Sequence, residues 1–214
     1  MRNRIPVKLL AARLLPGADP ALCRALGVPE DLPALALFST DCDDATYLAL
    51  DEATKAAPVA AVYGRSHYAG AGAASTPISG EVTAVLAGPT PAETRSGLAA
   101  AIHALEGLGF TEGPGGVPYL AHVVSRTGTF LSREAEVPEG APLAYLIAPP
   151  VAALVGLDAA LKASEVRLAK FYAPPTETNF AGALLTGTQS ACRAACEAFA
   201  AAAESVAQTP LKGV

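Results

Sequence analysis

The sequence predicts an α/β protein built from two tandem copies of one small domain. A helix followed directly by a strand occurs twice, once from Asp51 to Tyr63 and again from Asp158 to Tyr172. In each copy a lysine follows the aspartate by four residues, so both charges lie on one face of a helix. A valine four residues further on opens a segment rich in β-branched and aromatic residues, which is typical of a strand.

Two further pairs of segments repeat in the same order along the chain. Val28–Pro33 matches Val137–Pro142 at an offset of 109 residues, and Glu81–Gly88 matches Phe180–Gly187 at an offset of 99. The helix and strand between them repeat at an offset of 107, so the fall from 107 to 99 places eight additional residues in the first copy. Repetition in a constant order is typical of tandem domains. We therefore predict two domains, at residues 1–110 and 111–214.

Local signals define the elements within each copy. Asp19 is a preferred N-cap for a helix beginning at Pro20, and Gly27 is typical of the residue that ends one. Apolar segments bounded by turn residues predict strands, and alanine-rich segments predict helices. The predicted elements are strands over Pro6–Pro16 and Ala34–Ser39, and helices over Pro20–Leu26, Ala45–Lys55, Ala92–Leu105 and Ser190–Ala207.

The composition is apolar for a protein of this charge, with 51% hydrophobic residues and a mean hydropathy of +0.35. The surplus consists of alanine and aliphatic residues, which a subunit interface would bury. A membrane is the competing explanation, but the longest uncharged run, Gly140 to Leu157, contains Pro142, Pro149 and Pro150. The N-terminus lacks the continuous apolar region of a secretory signal. We expect no membrane association and a cytoplasmic location.

Charge and cysteine content exclude several classes of function. The net charge of −5 and the absence of a basic stripe argue against nucleic-acid binding. Four cysteines are too few and too scattered for a disulfide scaffold. Cys192 and Cys196 have helical spacing that could meet a metal, but no histidine lies near them in sequence, so packing in the core is favoured. We predict no metal and no cofactor.

Acidic residues are concentrated after the predicted strand Ala34–Ser39. Asp41, Asp43 and Asp44 lie within four residues, immediately before the next helix. One of the last two could cap that helix, but three acids exceed what capping requires. Crowded carboxylates raise each other's pKa unless a cation lies among them. The pattern therefore indicates a cation site, with helix capping as the alternative for Asp43 or Asp44.

The additional residues of the first copy fall in the segment Gly64–Gly80, which is rich in glycine, alanine and serine and predicts a loop. Long loops in compact domains are usually functional or disordered. The glycines open no helix and lack the lysine of a phosphate-binding loop. The equivalent segment, Ala173–Asn179, is short and stiffened by proline. We expect the first loop alone to move.

Catalytic residues are not evident. His67, His103 and His122 are isolated from one another in sequence. The chain has no nucleophile elbow, no metal-spaced histidine pair and no recognisable Cys–His pairing. We expect a protein that is not an enzyme.

The doubled Asp-x-x-x-Lys-Ala segment resembles the bacterial microcompartment shell domain. Two such copies in one chain resemble the trimeric tandem-domain shell proteins. The segments most similar to the ethanolamine-utilisation members are DCDDATYLALDEATKAAPVAAVYGRSHYAGA, AHVVSRTGTFLS, AYLIAPP and PPTETN. The resemblance implies ferredoxin-like, permuted domains, each a small antiparallel sheet flanked by helices. It also implies that three chains close into a pseudohexamer, which tiles with other shell proteins in the cytoplasm.

The resemblance also implies roles for individual residues. The family has a gated central pore and small pores that bind ethanolamine. The implied edge lysines of the tiled sheet are Lys55 and Lys162. The implied lid residues are Arg65, His67, Tyr68, Gly70 and Gly72. The implied ethanolamine-binding residues are Asp43, Asp44 and Glu81, with Glu177, Thr178 and Asn179 from the second copy.

Two alternatives to the shell interpretation stay open. A soluble, trimeric module that senses small amines would use the same acids without forming a sheet. An amine-processing enzyme would need a nucleophile or base that the sequence does not reveal. Phe110 is equally consistent with a wall of the amine site and with the core.

Overall fold

The computed structural model describes residues 3–67, 80–174 and 176–211. The chain divides into two compact units. The N-terminal unit consists of Pro6–Gly109 together with Gly128–Leu131. The C-terminal unit consists of Phe110–Thr127 and the chain from Ser132 onward, together with residues 3–5. The contiguous domains predicted at residues 1–110 and 111–214 stay a prediction.

Ten strands, six α-helices and one short 3-10 helix (Pro114–Gly116) occur in the described residues. Their bounds agree with the local signals within a few residues. The strands are β1 (Asn3–Arg4), β2 (Leu9–Leu15), β3 (Ala34–Thr40), β4 (Ala60–Ser66), β5 (Val82–Gly88), β6 (Thr111–Glu112), β7 (Pro118–Val124), β8 (Leu143–Ala148), β9 (Val166–Tyr172) and β10 (Ala181–Gly187). The helices are α1 (Pro20–Leu26), α2 (Asp43–Ala56), α3 (Pro91–Gly107), α4 (Thr129–Ala135), α5 (Pro150–Ala163) and α6 (Gln189–Gln208).

The N-terminal unit contains a four-stranded antiparallel sheet in the order β2-β3-β5-β4. The central strand β3 is buried along nearly its whole length, as its apolar sequence predicts. Leu35 and Val85 of the sheet form a small core cluster against which Cys23 and Leu26 of α1 pack. Asp19 caps α1 as predicted, since its carboxylate accepts a hydrogen bond from the Ala21 N–H at 2.8 Å.

One boundary in this unit differs from the prediction. The loop was expected to begin at Gly64, but Gly64, Arg65 and Ser66 belong to β4 and pair with β5. The strand continues because pairing with β5 satisfies these backbone groups as far as Val82, where β5 begins.

The C-terminal unit contains a six-stranded antiparallel sheet in the order β1-β6-β7-β8-β10-β9. Helices α5 and α6 pack on it and enclose the main core, with Gly156 of α5 against the ring of Phe199. Cys192 and Cys196 lie buried in this core, which confirms the packing role predicted for them. Burial raises the pKa of the Cys196 thiol to about 12, so it stays protonated. No helix in the described ranges is long and apolar enough to cross a membrane.

The repeat predicted from sequence is present in both units. Strand β3, helix α2, strands β4 and β5 and helix α3 correspond in order to β8, α5, β9, β10 and α6. The two edge strands even share an irregularity, because the pairing register shifts between Ala61 and Tyr63 in β4 and between Leu168 and Lys170 in β9. These positions are 107 residues apart, which is the offset found in the sequence.

The aspartate of the first repeated helix has a structural role within the N-terminal unit. The Asp51 carboxylate is buried and accepts hydrogen bonds from the Gly128 N–H at 2.9 Å and the Leu131 N–H at 2.8 Å. The Thr54 hydroxyl accepts a third from the Thr129 N–H at 3.2 Å. These are the N–H groups that the start of α4 leaves without helical partners. Two side chains of α2 therefore cap α4.

The aspartate of the second repeated helix, Asp158, has a different environment from Asp51. Asp158 is exposed and pairs with Lys162 on its own helix at 2.7 Å. An exposed pair at this spacing contributes a few tenths of a kcal/mol. The same motif is therefore a buried cap in one copy and a surface ion pair in the other.

This difference predicts unequal effects of the same substitution. Asp51→Ala should destabilise the protein by about 2–4 kcal/mol, because it leaves the buried N–H groups of Gly128 and Leu131 without acceptors. The matched control Asp158→Ala should cost less than about 1 kcal/mol. Urea denaturation followed by circular dichroism would measure both. Equal losses for the two variants would contradict the capping role of Asp51.

Candidate functional site

Four carboxylates converge at one end of the N-terminal sheet, and we call them the acidic cluster: Asp41, Asp43, Asp44 and Glu81. The first three follow the end of β3, and Glu81 precedes β5. Antiparallel pairing of Thr40 with Val82 brings these two ends together, and the Glu81 N–H donates to the Thr40 carbonyl at 2.9 Å. Sheet register therefore assembles acids that lie about forty residues apart in sequence.

Three members of the cluster are buried, namely Asp43, Asp44 and Glu81. One Asp43 oxygen accepts from the Asp44 N–H at 2.8 Å, and the other accepts from the Ser66 hydroxyl at 2.9 Å. Ser66 is a site residue that sequence reasoning missed, because it was placed in the loop rather than at the end of β4. Asp41 accepts from the Lys8 N–H at 2.7 Å.

The aspartates do not occupy the position expected for capping. Cys42 is the N-cap of α2, and Asp43 and Asp44 form the first turn. The Cys42 N–H donates to the Thr40 hydroxyl at 3.1 Å, so this N–H is satisfied without either aspartate. Asp43 nevertheless satisfies one first-turn N–H of α2, that of Asp44, although Cys42 holds the N-cap position. The negative charges of both aspartates are still stabilised at the N-terminus of α2 by the helix dipole.

The electrostatics of the cluster follow from burial and from repulsion between like charges. Burial, with the charges of Asp43 and Asp41 next in importance, raises the pKa of Glu81 to about 7. Burial and the charge of Asp44 likewise hold the pKa of the Cys42 thiol well above its ordinary value. A cation placed here would lower the pKa of Glu81 by favouring its charged form. No group of three or more side chains in the described residues is arranged to hold a metal ion.

The segment that follows β4 has a hydrogen bond beside the cluster at each end, at His67 and at Gly80. The His67 N–H donates to the Glu81 carbonyl at 2.7 Å, and the His67 ring lies 3.1 Å from the Thr83 hydroxyl. At the other end, the Gly80 N–H donates to the Ser39 hydroxyl at 3.1 Å. A Cβ at Gly80 would lie only 2.2 Å from the Thr40 carbonyl oxygen, so glycine is required there. Of the proposed lid residues, Tyr68, Gly70 and Gly72 lie outside the described residues.

The remaining predicted binding residues belong to a turn of the C-terminal unit. The Asn179 N–H donates to the Thr176 carbonyl at 3.0 Å, and Asn179 has a left-handed φ of 63°. Glu177 and Asn179 are exposed, and Thr178 is half-buried. Phe110 is buried in the same unit, where it stacks on Phe180 with ring centroids 5.5 Å apart.

The two predicted edge lysines have different environments. The Lys55 side chain is 14% exposed and lies 3.3 Å from the Asp51 carboxylate, with a second bond to Glu52. The Lys162 side chain is 74% exposed and bonds to Asp158. Of the two, Lys162 has the exposure that a contact with another molecule requires.

Comparison with known proteins gives close matches over nearly the whole chain. No family model matches the sequence. The chain is 54% identical over 206 residues to the bacterial microcompartment shell protein EutL of Clostridium perfringens (strain 13 / Type A), covering 95% of each chain. It is 48% identical over 205 residues to the protein of the same name from Escherichia coli (strain K12), covering 94% of each. The crystal structure of the ethanolamine utilization protein EutL from Leptotrichia buccalis C-1013-b superposes with a TM-score of 0.96 at 52% identity, covering 99% of each chain.

The raised pKa of Glu81 predicts how stability depends on pH. The folded protein binds this proton more tightly than the unfolded chain, so stability falls as pH rises from about 4.5 to about 7. Glu81→Gln removes the charge and should stabilise the protein by about 1–2 kcal/mol at pH 8, and have little effect at pH 4. Denaturation at the two pH values would test this, with the exposed Glu106→Gln as control. An equal effect at both pH values would exclude the buried charge as its cause.

Proposed function

Since the chain belongs to the EutL family of bacterial microcompartment shell proteins, we propose that it forms a homotrimer with a gated central pore and small ethanolamine-binding pores. As a member of this family it is a component of a microcompartment shell, where it assembles with other shell proteins. The homotrimer is a pseudohexamer, because each chain supplies two copies of one fold. Trimers tile edge to edge into a sheet that metabolites cross through the pores.

The observation that carries the amine-binding part is the burial of Asp43, Asp44 and Glu81 together at one end of a sheet. Ethanolamine presents an ammonium group, whose three N–H donors complement carboxylate oxygens. Its hydroxyl group suits amide, hydroxyl or carboxylate partners. Glu177, Thr178 and Asn179 of the C-terminal unit also stay proposed ethanolamine-binding residues. The ammonium also offsets the repulsion that raises the pKa of Glu81.

The expected affinity is weak. Hydrogen bonds to charged groups contribute about 1.5–3 kcal/mol each. Two or three of them, less the cost of ordering the ligand and its partners, leave about −4 kcal/mol, which corresponds to a dissociation constant near 1 mM. A pore that passes or senses a metabolite needs no tighter binding.

The gate of the proposal is the part of the segment Gly64–Gly80 that follows β4, with His67, Tyr68, Gly70 and Gly72 as lid residues. Arg65, which the family resemblance also implied, is part of β4 and pairs with β5. The supporting observation for this gate is that His67 bonds to the Glu81 carbonyl and that Gly80 directly precedes Glu81. A ligand held by the Glu81 carboxylate thus acts on residues that anchor the lid. It shifts the gate between two states only if it binds one state more tightly than the other.

The proposal assigns no catalytic residue. His67 is engaged by the Thr83 hydroxyl, and His103 lies 3.3 Å from Glu106 on the exposed face of α3. Turnover of small amines by the purified protein would contradict this part of the proposal.

Neutralising the two aspartates should abolish the amine site. Asp43→Asn combined with Asp44→Asn removes two charged acceptors, so ethanolamine binding measured by calorimetry at pH 8 should weaken at least about tenfold. The control is Asp31→Asn combined with Glu139→Gln, which lowers the net negative charge equally at exposed positions. Unchanged binding in the double aspartate variant, with an intact fold by circular dichroism, would remove the acidic cluster as the ethanolamine site.

Sheet formation separates the shell tile from a soluble amine sensor. Concentrated protein should form flat hexagonal sheets visible by electron microscopy. Lys162→Ala removes an exposed ammonium group from the proposed edge. If each contact between trimers loses about 1.4 kcal/mol, the protein concentration needed for sheets should rise about tenfold. The control Arg95→Ala removes an exposed charge from α3. Discrete trimers at every concentration of the unmodified protein would instead favour the sensor.

A further inference from the structure

Glu81 and Asp43 are both buried in the acidic cluster, but their carboxylates have different hydrogen-bond partners. The Asp43 carboxylate accepts from the Asp44 N–H at 2.8 Å and from the Ser66 hydroxyl at 2.9 Å, one donor for each oxygen. Glu81 is only 9% exposed, and no donor within the described ranges bonds to its carboxylate. A buried carboxylate without a donor is costly in its charged form.

The charged groups that face Glu81 from the neighbouring elements do not offset its charge. Asp41 follows β3 and Asp43 begins α2, and both act on Glu81 with negative charge. Lys8 is exposed, and its recorded bond to Asp41 comes from its backbone N–H. His67 is exposed at the end of β4 and likewise reaches Glu81 through its backbone N–H. No lysine or arginine in the described part of the chain forms an ion pair with Glu81.

These contacts favour a proton on Glu81 rather than on its neighbours. The donors to Asp43 favour the charged form of that carboxylate, and Glu81 has no equivalent donors among the described residues. The Cys42 thiol adds no charge, because burial and the charge of Asp44 hold its pKa well above the ordinary value. In agreement with this, burial, followed by the charges of Asp43 and Asp41, raises the pKa of Glu81 to about 7.

We propose that the acidic cluster exchanges a proton for the ammonium group of its ligand, and that Glu81 is the residue that releases the proton. This inference rests on the amine-binding function proposed above. The O–H bond of the Glu81 carboxyl breaks, its proton passes to water, and the carboxylate then accepts a hydrogen bond from the ammonium N–H. Charge is balanced, because one cation leaves the site as another enters.

The exchange makes amine binding depend on pH in one direction. The ammonium of the ligand stays charged at pH 6 and at pH 8, as a lysine side chain does. Glu81 is mostly protonated at the lower pH, so the ligand must displace a proton there. With a pKa of about 7 for Glu81, the apparent dissociation constant should be about tenfold larger at pH 6 than at pH 8. Acidification therefore unloads the site.

Calorimetry of ethanolamine binding at the two pH values tests the exchange. Titrations in two buffers of different ionisation enthalpy, neither of them a primary amine, give the number of protons released. The unmodified protein and the exposed control Glu106→Gln should release about one proton per ligand at pH 6 and about a tenth of that at pH 8. Glu81→Gln should release none at either pH. Proton release that disappears in His67→Gln would assign the proton to that histidine and overturn the role of Glu81.

The Glu81 carboxyl can also be observed directly by carbon-13 nuclear magnetic resonance. In protein labelled at glutamate, its resonance is the one that is missing from Glu81→Gln. It should titrate near pH 7 in the free protein and at a lower pH with saturating ethanolamine, and an unmoved midpoint would overturn the exchange.

Failure of the exchange is distinguishable from failure of the amine site. Binding that is equally tight at pH 6 and pH 8 and releases no proton would overturn the exchange and leave the ethanolamine site in place. Absence of binding at both pH values would overturn the site and the exchange together.

Discussion

The buried carboxylate of Asp51 is the interaction on which the organisation of this chain depends. It satisfies two backbone N–H groups at the start of α4, which would otherwise be buried without acceptors. Because α2 supplies this cap, residues 128 to 131 belong to the N-terminal unit although they follow the first strands of the other unit in sequence. Through these bonds the Asp51 side chain holds residues 128 to 131 against one face of α2, which is therefore buried rather than exposed.

The repeat keeps the fold and changes the polar chemistry at this position. Asp158 matches Asp51 in sequence, but it is exposed and pairs with Lys162. Asp51 accepts hydrogen bonds from the N–H groups of Gly128 and Leu131, whereas the Asp158 side chain is 63% exposed. The two copies of one fold thus differ at this helix face, which is covered within the unit in the first copy and exposed in the second.

Much of the fold could be predicted because its signals are local or repeated. The cap at Asp19, the glycine after α1, the helix-to-strand segments and the cysteines in the core all follow from nearby residues. What the sequence could not supply was contact between distant segments. Ser66 bonds to Asp43 only because β4 extends beyond Gly64, and Asp51 finds its donors about eighty residues away. Family resemblance grouped Glu81 with the aspartates. The physical reason for their proximity is the pairing register of β3 against β5.

The acidic cluster links the stability of the protein to the charge of the ligand that we propose for it. Burial of Glu81 beside Asp43 raises the pKa of Glu81 to about 7. Ionisation of Glu81 near neutral pH therefore lowers the stability of the folded protein. A ligand that carries a positive charge relieves that cost, and a neutral analogue of the same size does not. In the proposed amine site, discrimination between the two ligands would therefore come from carboxylates that are already crowded in the unliganded protein. Because the Glu81 carbonyl also accepts a hydrogen bond from the His67 N–H, relief of this repulsion would act beside the base of the lid that we propose.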